Sequence, residues 1–408
     1  MKKMLLVLAL FSLVASGLLA SEARIDGLGL GNAAWMVQDD FLAYKYFPQM
    51  VSQYPDLAVG EMTTVSSNGY INLPFSSGVV GLLANMPTFS LIAPNINGSG
   101  AIYSMGNMGF GLSYGSANSK TLDGAVVNNT DGSYTSNHSY NIGVFGGYTF
   151  DIKKNMPVDI GLDINIPSNY THDDVTKDNT GATTAIGQTG TNGVEINLNG
   201  RTALPNDMLG YVNLGFTQEN TLVLAKTFTG GTLTTHTEES TGDSIINIAL
   251  GGSKTIKAGG FNIYLGVQPS FNMNNSLESN QNKLTGANLA GNGNSTDINT
   301  INLPVFAGVE GKINDTWTVR GGVNKAVWGI TSTTTVVKAA NGNVTTNTTV
   351  DSTTSDAPVM ALGITGVFGG ITIDADVNTA MLTNGPYFLT GEQTPNFISE
   401  IAITYGWK

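Results

Sequence analysis

The side chains able to do chemistry are few in this sequence. It has three histidines, His138, His172 and His236, and no cysteine, which excludes disulfides, thiolate metal sites and a lipidated N-terminal cysteine. His172 is followed by Asp173 and Asp174, a grouping that could activate water if a second acidic pair stood opposite, and none can be placed. The same acids with Asp178 lack the spacing and the glycine of a calcium loop. Near the start, "ARIDGLGLGNAAW" sets Gly27, Gly29 and Gly31 at alternate positions. A dinucleotide loop needs a strand before it and a helix with a parallel crossover after it, and no such unit follows. No enzyme activity, resident metal or cofactor is expected.

The other polar residues recur at every second position. "VDIGLDINIP" puts Val158, Ile160, Leu162, Ile164 and Ile166 on one face and Asp159, Gly161, Asp163 and Asn165 on the other. Val194, Ile196 and Leu198 oppose Glu195, Asn197, Asn199 and Arg201 in the same way, and Ile371, Ile373, Ala375 and Val377 oppose Asp374 and Asp376. A period of two makes each stretch a strand with one apolar and one polar face.

These strands belong to an exported chain. Lys2 and Lys3 precede the apolar "MLLVLALFSLVASGLLA", and Ser21-Glu22-Ala23 offers small residues to a signal peptidase. Cleavage after Ala23 is expected, giving a signal peptide over 1–23. Cleavage after Ala20 is the alternative, which puts Leu18 where a small residue is preferred. No later run approaches the ~18 apolar residues of a spanning helix. The net charge of -12 excludes nucleic acid as a partner. Charged residues are only 12 %, about half the usual share, which suits a sheet with one face in lipid and the other in a polar lumen.

Connection lengths point the same way. Short turns at 153–157, 204–207, 257–260, 314–316 and 369–370 alternate with connections of roughly fifteen to thirty residues, the layout of an outer-membrane barrel. The long ones, 117–137, 168–191, 218–242, 274–298, 331–355 and 379–395, are rich in Thr, Asn, Gly and Ser and read as loops, with His172 and His236 inside them and His138 at the end of the first. The final strand "FISEIAITYGWK" carries Tyr405 and Trp407 on its apolar face, resembling the signal by which barrel-assembly machinery recognises its clients; here Lys408 follows the last aromatic residue.

The fold class is therefore all-β: a closed antiparallel transmembrane β-barrel of about fourteen strands spanning 55–408. The first strands fall near 56–65, 77–86 and 107–116, with 87–106 a long connection. The phase that keeps Arg201 and Arg320 out of lipid, at a saving of roughly 2–4 kcal/mol each near mid-membrane, turns Asp159, Asp163, Glu195, Arg201, Glu310, Lys312, Arg320, Asp374, Asp376 and Glu400 into the lumen. Two readings of that wall stand side by side: a carboxylate-lined path that prefers cations, or ion pairs that cross the lumen and hold a plug.

A barrel of this size leaves space inside, and residues 24–54 are the segment that can fill it. They carry Trp35, Phe41, Tyr44, Tyr46, Phe47 and Tyr54, with glycines that let the backbone turn tightly. A plug or hatch is expected, against the alternative of a tail in the periplasm. The pattern Arg24, Leu28-Gly29, Gly31, Asn32-Ala33 and Asp39-Asp40 resembles the mature N-terminus of FadL-type barrels, the long-chain fatty-acid transporter family. Of the Asn-Pro-Ala motif that normally follows in that family, Pro48 of Phe47-Pro48-Gln49 carries over. The resemblance implies a fourteen-stranded barrel with an N-terminal hatch that passes hydrophobic molecules.

The expected function is a channel or transporter in the outer membrane of a Gram-negative-type bacterium, embedded in outer-membrane lipid and passing a hydrophobic or small polar solute. The alternative is a structural, adhesive or display barrel without transport. Nothing in the sequence sets an oligomeric state.

Overall fold

The computed structural model describes residues 21–37, 44–63, 67–87, 97–123, 133–153, 156–172, 176–177, 183–229, 232–285, 287–289, 292–339, 343–353, 358–377 and 398–407. The strands run in order: β1 Leu57–Thr63, β2 Ser67–Phe75, β3 Gly78–Pro87, β4 Asn97–Met105, β5 Met108–Asp123, β6 Ser133–Lys153, β7 Met156–His172, β8 Thr176–Lys177, β9 Thr183–Leu204, β10 Met208–Thr229, β11 Thr232–Ala258, β12 Phe261–Val267, β13 Ser270–Asn282, β14 Ser295–Lys312, β15 Trp317–Lys338, β16 Val344–Thr353, β17 Val359–Phe368, β18 Ile371–Val377 and β19 Ile398–Gly406. Each pairs antiparallel with its neighbours, and β1 pairs with both β2 and β19, so the sheet closes on itself. Closure leaves no unpaired edge for lipid to face.

The barrel has sixteen staves rather than the expected fourteen. β12 and β13 both pair with β11 and β14 and form one stave. β16 and β17 share another beside β15, while β8 is a two-residue bridge onto β9. The staves absent from the sequence reading are β2, "SNGYINLPF", and β4, "NGSGAIYSM". Their glycine and serine content blunts the alternation, but the ladders on both sides satisfy their backbones.

The second correction concerns the long connections. Much of 168–191, 218–242, 274–298 and 331–355 continues the strands as paired ribbons, and so does the described part of 117–137. Threonine is β-branched and suits a pleated ladder. With water on both faces the ribbon needs no apolar side, so the alternation fades while the pairing continues. The 27-residue β11 rises about 70 Å at ~3.3 Å per residue and ~40° tilt, far above an apolar band of about 25 Å. His138, His172 and His236 consequently lie on β6, β7 and β11 rather than in loops. Asp173, Asp174, Asp178 and 379–395 lie outside the described residues.

Burial is inverted relative to a protein that is dry inside. On β7, Asp163 is 8 % exposed while its neighbour Leu162 is 40 % exposed. Ile196 and Leu198 face outward around buried Glu195 and Asn199, as do Ile246, Ile248 and Leu250 on β11. The short turns tighten through left-handed residues, as at Asn206-Asp207 and Gly259-Gly260.

Inside the ring lies the N-terminal segment. It comprises helix α1 Glu22–Gly27, a 3₁₀ turn Gly31–Met36 and a second 3₁₀ turn Pro48–Gln53. Its described residues touch strands on all sides. Leu28 meets β14 and β15, Trp35 meets β10 and β11, Tyr46 and Phe47 meet β7, and Gln49 meets β5 and β6. Trp35, Phe47, Leu28 and Leu30 are fully buried there. Each aromatic removes about 150–250 Å² from water, worth roughly 4–6 kcal/mol before the entropy of ordering.

Candidate functional site

The segment fits because the inner wall gives way to it. A Cβ added at Gly161 would overlap the Tyr46 carbonyl oxygen, and one at Gly322 would overlap that of Leu28. Backbone therefore lies directly on backbone, which only glycine permits. On the segment's side Gly29 takes a positive φ of 67° and faces Gly322. Gly27 lies against Arg320 and Gly363, and Gly31 opens the first 3₁₀ turn.

Charge holds the first part in place. Arg24 Nε and Nη2 donate to Glu310 Oε1 and Oε2 at 3.0 and 2.8 Å, with side chains 1 % and 3 % exposed. Arg320 Nη2 donates to Asp374 Oδ1 at 2.9 Å, and its Nε lies 3.7 Å from Glu310. Ser21 caps α1 by accepting from the Arg24 backbone N–H at 3.2 Å, and its hydroxyl donates to Asp374 at 3.1 Å. The result is a buried chain Arg24–Glu310–Arg320–Asp374–Ser21 whose charges neutralise one another, the arrangement that makes interior ions tolerable.

The second part is held by rings and amides. Trp35 stacks on Tyr211 with centroids 4.7 Å apart, and its Nε1 donates to Gln268 Oε1 at 2.8 Å. Phe47 lies under the Arg201 guanidinium at 4.8 Å, a cation–π contact, while Arg201 Nη2 donates to Asp159 at 2.9 Å. Pro48 packs beside Gly109 and Gly147, and Gln49 donates to Thr149 at 3.1 Å.

Lys45 reaches back to Glu22 at 3.2 Å. Burial alone would lower its pKa, but Glu22, Tyr44 and Glu61 outweigh that and raise it. Asp26 is pushed up to about 6, first by loss of hydration inside the barrel and then by Glu22 and Asp376, although its side chain keeps an exposed surface.

The structure thus joins Arg24, Glu310, Arg320 and Asp374 in one cluster and Asp159 with Arg201 in another. Asp163 lies with Asn165, Asp376 accepts from Ser399, and Glu195 is buried on β9. Lys312 is exposed at one mouth. Asp39 and Asp40 lie outside the described residues. Tyr405 and Trp407 stack at 5.7 Å. Sequence reading did not reach Ser21, Glu22, Lys45, Glu61, Tyr211 or Gln268. Strand phase on β10 could have found Tyr211, while Ser21 and Glu22 had been assigned to the leader.

Beyond the segment, toward the long ribbons, opens a cavity of about 660 Å³. Leu30, Lys45 and Tyr46 form its floor, and Asn197, Asn199, Asn213, Asn247, Asn324 and Gln268 dominate its wall, with Tyr211 and Phe306 among them. Tyr211 Oη donates to Asn199 at 2.7 Å, Asn213 donates to Asn199 at 2.9 Å, and Asn324 donates to the Gly29 carbonyl at 3.0 Å. Asn247 Oδ1 and Asp163 Oδ1 have no hydrogen-bond partner among the described residues.

No family model and no curated protein matches the sequence. Solved structures do. The Ralstonia pickettii toluene transporter TbuX matches with a TM-score of 0.38 at 10 % identity, over 94 % of this chain and 100 % of that one. The Pseudomonas putida toluene transporter TodX gives 0.35 at 8 % identity, over 97 % of each chain. The CymD monoaromatic hydrocarbon channel gives 0.34 at 11 % identity, over 90 % and 92 %. The likeness is one of fold. What this barrel does is read from its own lumen.

Proposed function

We propose that this chain is a hatch-gated channel of a Gram-negative outer membrane. The N-terminal segment closes the lumen, and its displacement admits a small solute waiting in the amide-lined cavity. A cavity of about 660 Å³ falls within the usual ~300–1,000 Å³ for small-molecule sites. Its lining suits a neutral solute with an apolar face to lie on Tyr46, Tyr211 and Phe306 and with hydrogen-bonding groups for the asparagines. Unpartnered Asn247 Oδ1 is the observation that carries this reading, because a buried carbonyl oxygen gains from a donor brought by the solute. One carboxylate, Asp163, also lines the cavity, among a majority of neutral amides and rings.

The same reading bears on the leader. Ser21 and Ala23 are fully buried and Glu22 is engaged, which supports cleavage after Ala20 and a mature chain beginning at Ser21. Tyr405 and Trp407 serve as the terminal assembly signal. A display role has one observation in its favour, the tall threonine-rich ribbons, and is compatible with a gated lumen beneath them.

Liposome swelling with phenol, a disaccharide and an alkane, for the full barrel and for one lacking 24–54, tests the proposal. Slow phenol entry through the full barrel, much faster entry without the segment and slowing by Asn247→Leu are expected. Equal rates with and without the segment would remove the hatch.

A further inference from the structure

The acidic residues at the barrel's closing seam include two oxygens that the ion-pair chain leaves unused. Glu61 stands on β1 and Glu400 on β19, the two strands whose pairing closes the ring, with Thr63 opposite Glu400 and Glu61 opposite Ala402. Glu22, in the first turn of α1, is brought to them by its own backbone, whose N–H donates to Glu61 Oε1 at 2.7 Å. One carboxylate oxygen from each of Glu22, Glu61 and Glu400 lies within 4.8 Å of the others. Glu61 and Glu400 are 1 % and 6 % exposed, and Glu61 Oε2 and Glu400 Oε1 have no hydrogen-bond partner among the described residues.

We propose that Glu22, Glu61 and Glu400 bind one divalent cation that staples the N-terminal segment to the closing seam. When all three carboxylates are ionised they share one nearby ammonium, Lys45, which pairs with Glu22. The other cations of the lumen are committed, Arg24 to Glu310, Arg320 to Asp374 and Arg201 to Asp159. An uncompensated pair of negative charges in a buried site is costly, and a doubly charged ion balances it. The ligand set is all oxygen, with no imidazole or thiolate, so a hard cation is selected. Oxygens on opposite sides of a calcium ion stand about 4.6–5.2 Å apart at its usual ~2.3–2.6 Å bonds, which accommodates the observed spread. Three carboxylates offer up to six oxygens, and Ca²⁺ tolerates the irregular geometry better than Mg²⁺ does. Because one ligand comes from the segment and two from the wall, the ion ties segment to wall directly.

This site rests on the reading that the mature chain retains Glu22, so the test begins with the intact mass of the purified full-length barrel. Calcium chloride and, separately, magnesium chloride are then titrated calorimetrically into chelator-treated protein, and single-channel open probability is recorded with and without EDTA. The expected results are a mass beginning at Ser21, saturable binding of one Ca²⁺ per barrel with weaker Mg²⁺ binding, and a higher open probability in EDTA. Glu22→Gln alters no wall residue, and Glu61→Gln changes the wall itself. Each is expected to weaken binding at least about tenfold through the lost ligand charge, with folding checked by the heat-dependent gel shift of the barrel. Absence of saturable binding in a chain that retains Glu22 overturns the site and leaves Lys45 or a proton as the neutralising charge. A mature chain beginning at Arg24 overturns it too, by a different readout. Binding without any EDTA effect on opening upholds the site and removes the hatch.

Discussion

Replacing Arg24 by alanine removes the guanidinium that ties the segment to β14 while leaving every wall residue in place. Arg24 makes a two-pronged contact with Glu310 at 3.0 and 2.8 Å, and both side chains are almost wholly buried. Truncating one partner of such a pair typically costs about 3–5 kcal/mol, because the other charge is left behind. Glu310 keeps Arg320 at 3.7 Å and the Tyr264 hydroxyl at 3.5 Å, so the low end applies. About 3 kcal/mol corresponds to a fall of roughly 150-fold in the ratio of docked to undocked segment. Single channels in planar bilayers read that ratio as closed against open time. Arg24→Lys keeps the charge but loses the fork, and an intermediate shift is expected. A closed-to-open ratio for Arg24→Ala within about threefold of wild type, well inside the ~3 kcal/mol estimate, would refute the reasoning.

Two further outcomes follow from the same packing. Docking raises the Asp26 carboxyl from 3.8 to about 6, so the docked state holds a proton that the undocked state has released between those values. Docking is accordingly tightest below about pH 4 and weakens as pH rises through 6; open probability should climb over that range and Asp26→Asn should flatten the climb. Gly322→Val drives a side chain into the Leu28 carbonyl, and overpacking of this kind costs roughly 1–3 kcal/mol. The variant should open more often than wild type while its barrel still shows the gel shift of a folded one.

The barrel was legible because its alternation is strong where lipid imposes it, as at 158–166. It was illegible where the constraint lapses. β2 mixes Ser67 and Gly69 with Ile71, Leu73 and Phe75 on its outer face, β4 puts Gly98, Gly100 and the apolar Ile102 on its inner face, and the ribbons above the membrane have water on both sides, so none of them displays a clear apolar and a clear polar face. Strand phase points Asp159, Glu310, Arg320 and Asp374 to one face, but phase does not name partners. Arg24 and Glu310 are 286 residues apart, and Glu61 meets Glu400 only because the first strand pairs with the last. Ser21 and Glu22 were hidden differently. Small residues before Ala23 look like a protease site, and nothing in their types announces that they fit a buried pocket.

The placement of the N-terminal segment against the wall is tested most directly by a covalent lock. The chain has no cysteine of its own, so Leu28→Cys with Gly308→Cys introduces the only pair. A Cβ built on Gly308 lies 3.6 Å from Leu28 Cβ, inside the ~3.5–4.5 Å range of disulfides. Spontaneous cross-linking in the folded barrel, with conductance that stays low under oxidation and recovers on reduction, is the expected result. Two thiols that remain free under oxidant, or a cross-linked barrel that conducts as freely as the reduced one, would contradict it.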